Sequence, residues 1–235
     1  MNLRVILLVI VVIVFLLASL LISFLSFQTN SLSQGYQDGS VQIIQNTTPG
    51  TIPHVITVKN NGKNPVMVEN GQILTSNISQ NLVVAEDKVI EQNSSEKVKA
   101  YCFEPKKKAV PGSNLTPSGQ ASTQVKTLIM NSNPNNIQNA TQTQLQIWIL
   151  VTGNNVDINS GEAPSLIQEQ QISISQLNQD ISTAESNLIT SFNISSSQIS
   201  NFNQTSSQIN LNNIIDNAFN LINTFVNWVR SSLGI

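Results

Sequence analysis

Reactive side chains are scarce in this chain: one cysteine, Cys102, one histidine, His54, and 13 acidic residues spread along 235 positions. A single cysteine makes no internal disulfide, and one thiol with one imidazole falls short of the usual zinc ligand set. No G-x-S-x-G nucleophile elbow and no phosphate-cradling G-x-x-x-x-G-K-[ST] loop occurs, and the "NGKNP" stretch reads as a turn. His54 opens a strand and reads as a surface or edge residue. No two carboxylates stand out as an acid/base couple. This inventory predicts a non-enzymatic chain with no metal and no cofactor. A formal net charge of −2 provides no basic footprint for nucleic acid.

Cys102 remains the residue with most chemistry in reach. It sits in "AYCFEPKKKAVPG", residues 100–112, between Tyr101 and Phe103. Sharing a strand face with Val98 and Ala100, it can serve as a small buried hydrophobe. In an oxidising exterior it can instead bridge to a second chain. A third role comes from two short motifs, "YCF" at 101–103 and "TQLQIW" at 143–148. Together they resemble the Cys–Gln internal-thioester domains of bacterial surface adhesins. That resemblance implies Cys102 as the sulfur partner and Gln144 as the acyl partner of a bond used once, for covalent attachment to a surface nucleophile.

The elements that must position these residues are of several kinds. "VILLVIVVIVFLLASLLISFL", Val5–Leu25, is 21 residues without a charge, and a bilayer-crossing helix needs about 20 apolar residues. Residues 1–27 therefore read as a transmembrane signal-anchor. Arg4 precedes the span and no charge follows until Asp38. The positive-inside rule then places the bulk of the chain outside, as a single-pass protein of the cell membrane. Residues 28–40 read as a flexible polar linker.

Residues 41–160 have β texture. "HVITVKNNGKNPVMVENG" predicts a hairpin about its Asn-Gly turn, and "NLVVAEDKVIEQ" a second one. "TQVKTLIM" and "LQIWILVTG" read as interior strands, the latter also compatible with a buried helix. Closely spaced strands predict an antiparallel β-sandwich. From 165 to 235 the period changes to helical and coiled-coil-like. Ile174, Leu177, Ile181, Ala184, Leu188 and Phe192 begin a seam that needs a partner, either another copy or the β domain. Leu211 to Ile235 carries a sharper apolar stripe. The predicted fold class is thus mainly β plus α: an N-terminal transmembrane helix, a β-sandwich and a C-terminal helical region.

Charged residues make up only 10% of the chain, against about 25% in ordinary soluble domains. Polarity comes from Asn, Gln, Ser and Thr. Asn46, Asn77, Asn93, Asn114, Asn139, Asn193 and Asn203 open N-x-S/T triplets and are glycosylation candidates. The expected function is attachment or cell-envelope interaction by a non-enzymatic surface protein. Its expected partners are the membrane, through the N-terminal helix, and a surface or envelope protein or glycan. A structural or assembly component, oligomerising through its C-terminal helices, is the expected alternative.

Overall fold

A computed structural model describes residues 29–153 and 155–199. The expected span at 5–25, the stripe at 211–235 and Asn203 lie outside them. No helix among the described residues is long and apolar enough to cross a membrane.

The fold is mixed α/β. Its centre is a curled six-strand antiparallel sheet in the order β2–β3–β8–β6–β5–β9. The strands are β2 (Val41–Gln45), β3 (His54–Asn60), β5 (Gln72–Thr75), β6 (Leu82–Val84), β8 (Ser94–Cys102) and β9 (Thr116–Gln120). A smaller sheet pairs β1 (Asn30–Ser31) in parallel with β4 (Val66–Val68), which pairs antiparallel with β7 (Lys88–Ile90). Period-2 alternation sends Ile43, Ile56, Val58, Val98 and Ala100 toward Val66, Val68 and Ile90, forming one dry core. Val83, Ala85 and Tyr101 point to the opposite face and join a second core built with helices. Every residue of β6 is consequently buried, because both of its faces are covered.

Four expectations are corrected here. Residues 30–37 are not a free linker: Ser31 caps α1 (Leu32–Gln37), and Leu32 is fully buried. Gly35 allows that helix to lie close, since a Cβ there would come within 2.7 Å of a Val41 methyl. The expected hairpins do not form either. β3 pairs with β2 and β8, whereas β4 belongs to the other sheet. The Asn60 side chain is the physical reason. Its Nδ2 donates to the carbonyls of Asn64, Ile90 and Glu91, and its Oδ1 accepts from Gly62 N. That fastens a loop which crosses between sheets instead of folding back. β6 and β7 likewise lie in different sheets, and Asp87 in their connection accepts from both Asn70 N and Asn70 Nδ2.

The expected interior strand "TQVKTLIM" is a helix, α2 (Thr123–Met130), and of the two readings of "LQIWILVTG" the buried helix is the one found, within α3 (Ile137–Thr152). Ser122 and Asn136 cap their N-termini, and Gly153 at φ 63° closes α3 in the left-handed conformation that favours glycine. α3 looks strand-like in sequence because Leu145, Ile147, Trp148, Ile149 and Leu150 are all buried. The polar residues Asn139, Gln142 and Gln146 of α3 keep only one narrow stripe, and most of the rest of its surface is covered. The antiparallel sandwich is thus replaced by a layered arrangement, with the curled sheet between the small sheet and the helices.

Among the described residues, the first part of the segment expected to be helical, from 165, forms two helices. α4 (Ala163–Gln170) is followed by α5 (Ile174–Phe192), capped by Ser173. Leu177, Ala184 and Leu188 of the expected seam are fully buried. Their partner is α3 of the same chain, so this part of the seam closes an intramolecular contact.

Candidate functional site

Two places carry the polar chemistry of the described residues: a buried cluster where the curled sheet meets α4, and an open groove between helices. The cluster begins with His54, which is 1% exposed and not an edge residue. It occupies the inward register of β3 together with Ile56 and Val58. Its Nδ1 lies 2.8 Å from Thr47 Oγ1. Its Nε2 lies 2.7 Å from the Gln80 carboxamide nitrogen and 3.2 Å from Glu162 Oε1. The Glu162 carboxylate only accepts and so favours the ring proton on Nε2, with the Thr47 hydroxyl donating to Nδ1; the Gln80 amide then has to turn, so that its otherwise unpartnered Oε1 and not its NH2 faces Nε2–H.

Glu162, also 1% exposed, does more than face the ring. Oε1 accepts from Gly50 N at 2.6 Å and Oε2 from Ala109 N at 3.2 Å. One side chain thereby ties two loops and the sheet to the start of α4. Gly161 makes this possible. At φ 63° it carries no side chain, and a Cβ there would lie 2.0 Å from the Pro105 carbonyl oxygen. The cluster continues through Ser79, whose Oγ donates to Gln45 Oε1 at 2.6 Å and accepts from Val110 N at 3.0 Å. Among the described residues, no group of three or more His, Cys, Asp or Glu is placed to hold a metal ion.

Cys102 and Gln144 do meet, but through backbone. Gln144 Oε1 accepts from Cys102 N, and Gln144 Nε2 donates to Cys102 O, both at 2.7 Å. The cause is local. β3 pairs with β8 only as far as His54↔Ala100, and the preceding Pro53 has no N–H to extend the ladder. The carboxamide takes the place of that missing strand. Cys102, at the strand end, leaves the Val98/Ala100 face expected for it and joins Tyr101 and Trp148 in the helix-side core.

Burial pushes the Cys102 thiol well above its ordinary pKa, and the negative charge of Glu162 adds to the shift; the Trp148 indole N–H opposes it. The folded state therefore keeps a proton that an unfolded thiol loses above about pH 8.5. Stability should fall as pH rises past that point, by up to about 1.4 kcal/mol per pH unit from this group. Urea unfolding of the full chain in detergent between pH 8 and 10 should show a shallower decline for Cys102→Ala than for the parent. Parallel profiles would refute the assignment.

The open groove is formed by α2, α3, their connection and α5, and encloses about 630 Å³. Eight of its thirteen lining side chains are carboxamides and none is charged. Leu128 and Phe192 are its apolar members.

Residues 11–198 match the family model described as the ARPP-1, ARG and Rhodanese-Phosphatase-superfamily-associated Protein, domain. The chain belongs to the ARPP-1 family. No curated protein and no solved structure matches it. The ARPP-1 match, with no match to a thioester adhesin, corrects the resemblance drawn from "YCF" and "TQLQIW". In this ARPP-1 chain the first motif ends a strand and the second lies within α3, and Gln144 is engaged by the Cys102 backbone.

Six of the seven sequon asparagines of the ARPP-1 chain lie among the described residues. Asn46, Asn77, Asn93, Asn114, Asn139 and Asn193 are all exposed. Asn93 and Asn193 sit at positive φ, at 53° and 50°. Asn139 is at the groove, where its Oδ1 accepts from Asn133 N at 2.5 Å. Sequence reasoning missed His54 and Glu162 as a pair. The inward register of His54 beside Ile56 and Val58 was a readable signal; nothing local marks Glu162 as its partner.

Proposed function

We propose that this ARPP-1 protein is a membrane-tethered, non-enzymatic binding module with the bulk of its chain outside the cell, serving attachment or envelope interaction. The carrying observation is the contrast between its two polar places. His54 and Glu162 are closed off and spend their hydrogen bonds on backbone and neighbours, whereas the open groove is uncharged and polar. Catalysis by a buried dyad requires substrate at hydrogen-bond reach; binding requires only a concave surface with convergent polar groups. The family description, a domain associated with ARG and rhodanese-phosphatase superfamily proteins, suits an accessory part.

The tether is the uncharged Val5–Leu25 run, which ends five residues before β1 begins at Asn30. At about 3.3–3.6 Å per extended residue, that spacing holds the sheet close to the bilayer surface. An assembly role would need a surface other than the Leu177–Leu188 part of the seam, which α3 covers.

Fractionation with protease shaving tests this. The full chain should sediment with membranes through a high-salt wash and be degraded by protease added to intact cells. Removing residues 1–27 should release it. A parent protein recovered in the soluble fraction, or protected from external protease, would defeat the reading.

A further inference from the structure

We infer that the groove between α2, α3 and α5 is a binding site for a neutral oligosaccharide, presented by a surface or envelope glycan. The inference rests on the proposed binding role and names its ligand class. Its first support is the chemistry of the walls. Each carboxamide offers a donor and an acceptor a short distance apart, the arrangement that pairs with vicinal hydroxyls. Gln142, Gln146 and Asn187 bring such groups to the groove from α3 and α5, and Ser191 adds a hydroxyl.

A second support is what the walls lack. Without a lysine or arginine in the lining, the groove offers no charge-assisted contact to phosphate or carboxylate. Without a carboxylate it offers none to a cation. Protein partners draw most of their affinity from buried aromatic and aliphatic anchors, and here only Leu128 and Phe192 are apolar. One half-buried phenyl ring among amides instead suits the C–H face of a pyranose, whose weakly positive hydrogens meet the negative ring face.

Third, one polar group of the wall is left over: Asn133, Asn136 and Asn139 spend their Oδ1 atoms on backbone N–H groups and Thr127 and Thr143 donate their hydroxyls to carbonyls, but Gln142 has no such use for its oxygen. Gln142 lines the groove, and its Oε1 is buried with no partner among the described residues. A buried acceptor left unpaired is costly, and a turn of the amide into the groove would let a ligand hydroxyl donate to it. A volume of about 630 Å³ falls in the range of small-molecule sites, about 300–1,000 Å³, and accommodates a short oligosaccharide.

Calorimetric titration of the full chain in nanodiscs tests the inference, with maltohexaose, cellohexaose, mannohexaose and chitohexaose as probes. At least one should bind saturably. Gln146→Ala and Asn187→Ala, at half-buried and exposed positions, should each weaken it about tenfold, the equivalent of one lost hydrogen bond. Phe192→Leu, which keeps apolar contact with the core, should weaken it as well. The inference is overturned if none of the four sugars binds. It is also overturned if a folded Gln146→Ala/Asn187→Ala double variant binds as the parent does, or if an uncharged Gly-Ser-Thr peptide competes equally. A sugar-negative result from protein that still fractionates with membranes would reject the ligand class and leave the tethered-module reading intact.

Discussion

Glu162→Ala is expected to lower the unfolding free energy by about 3–5 kcal/mol, the range for removing one partner of a buried, hydrogen-bonded charged group. Three donors lose their acceptor at once: Gly50 N, Ala109 N and the His54 ring. The two amides belong to loops nearly sixty residues apart in sequence, and both hydrogen bonds are buried. Each orphaned buried donor costs about 1–3 kcal/mol. Glu162→Gln keeps one acceptor oxygen and should lose less, because only one of the carboxylate's two positions becomes a donor. Urea denaturation of parent and both variants measures the difference. A loss below about 1 kcal/mol for the alanine variant, against that range, would mean that the loops hold without the clamp.

The second large effect is expected at Gln144. Gln144→Ala removes the side chain that completes the β8 ladder and leaves Cys102 N–H and C=O unpaired inside the core. Two unsatisfied backbone groups and the cavity left by the amide together should cost about 2–4 kcal/mol. Cys102→Ala leaves both hydrogen bonds in place, because they use the main chain, and should cost less. This ordering separates a structural pairing of the two residues from one that depends on sulfur. Equal losses for the two variants, measured by the same denaturation, would contradict the backbone role of Gln144.

Both effects arise at contacts between residues far apart in the chain, and that bears on what could be read from sequence. Alternation along β3 puts His54 in the inward row with Ile56 and Val58, although its place at the start of the strand reads as surface or edge. The caps Ser122, Asn136 and Ser173 were equally local, although they were not read from the sequence. The Leu177–Ala184–Leu188 spacing described a real buried stripe. These are local properties, set by periods of 2 and 3.6 and by side chains reaching backbone a few residues away.

Pairing is not local. Asn-Gly after β3 looked like a hairpin turn, yet the four hydrogen bonds of Asn60 send the chain into the other sheet. α3 reads as a strand or a buried helix because its apolar residues at 145 and 147–150 run almost without a polar break, and α2 reads as a strand from its apolar run at 128–130, although Gln124, Lys126 and Thr127 keep an outward face. Cys102 and Gln144 were paired in the sequence reading by an adhesin motif that the family match does not support. The contact exists for another reason, the ladder bonds lost where Pro53 ends β3.

By itself the sequence determined composition, the uncharged run at 5–25, the inward faces of strands and the helical period after 165. The tertiary structure alone decided which strands are neighbours, where His54 finds Glu162, and that eight carboxamides line one groove. The physical reason is that side-chain periodicity is written in neighbouring residues. The satisfaction of buried hydrogen bonds is written only in the completed fold.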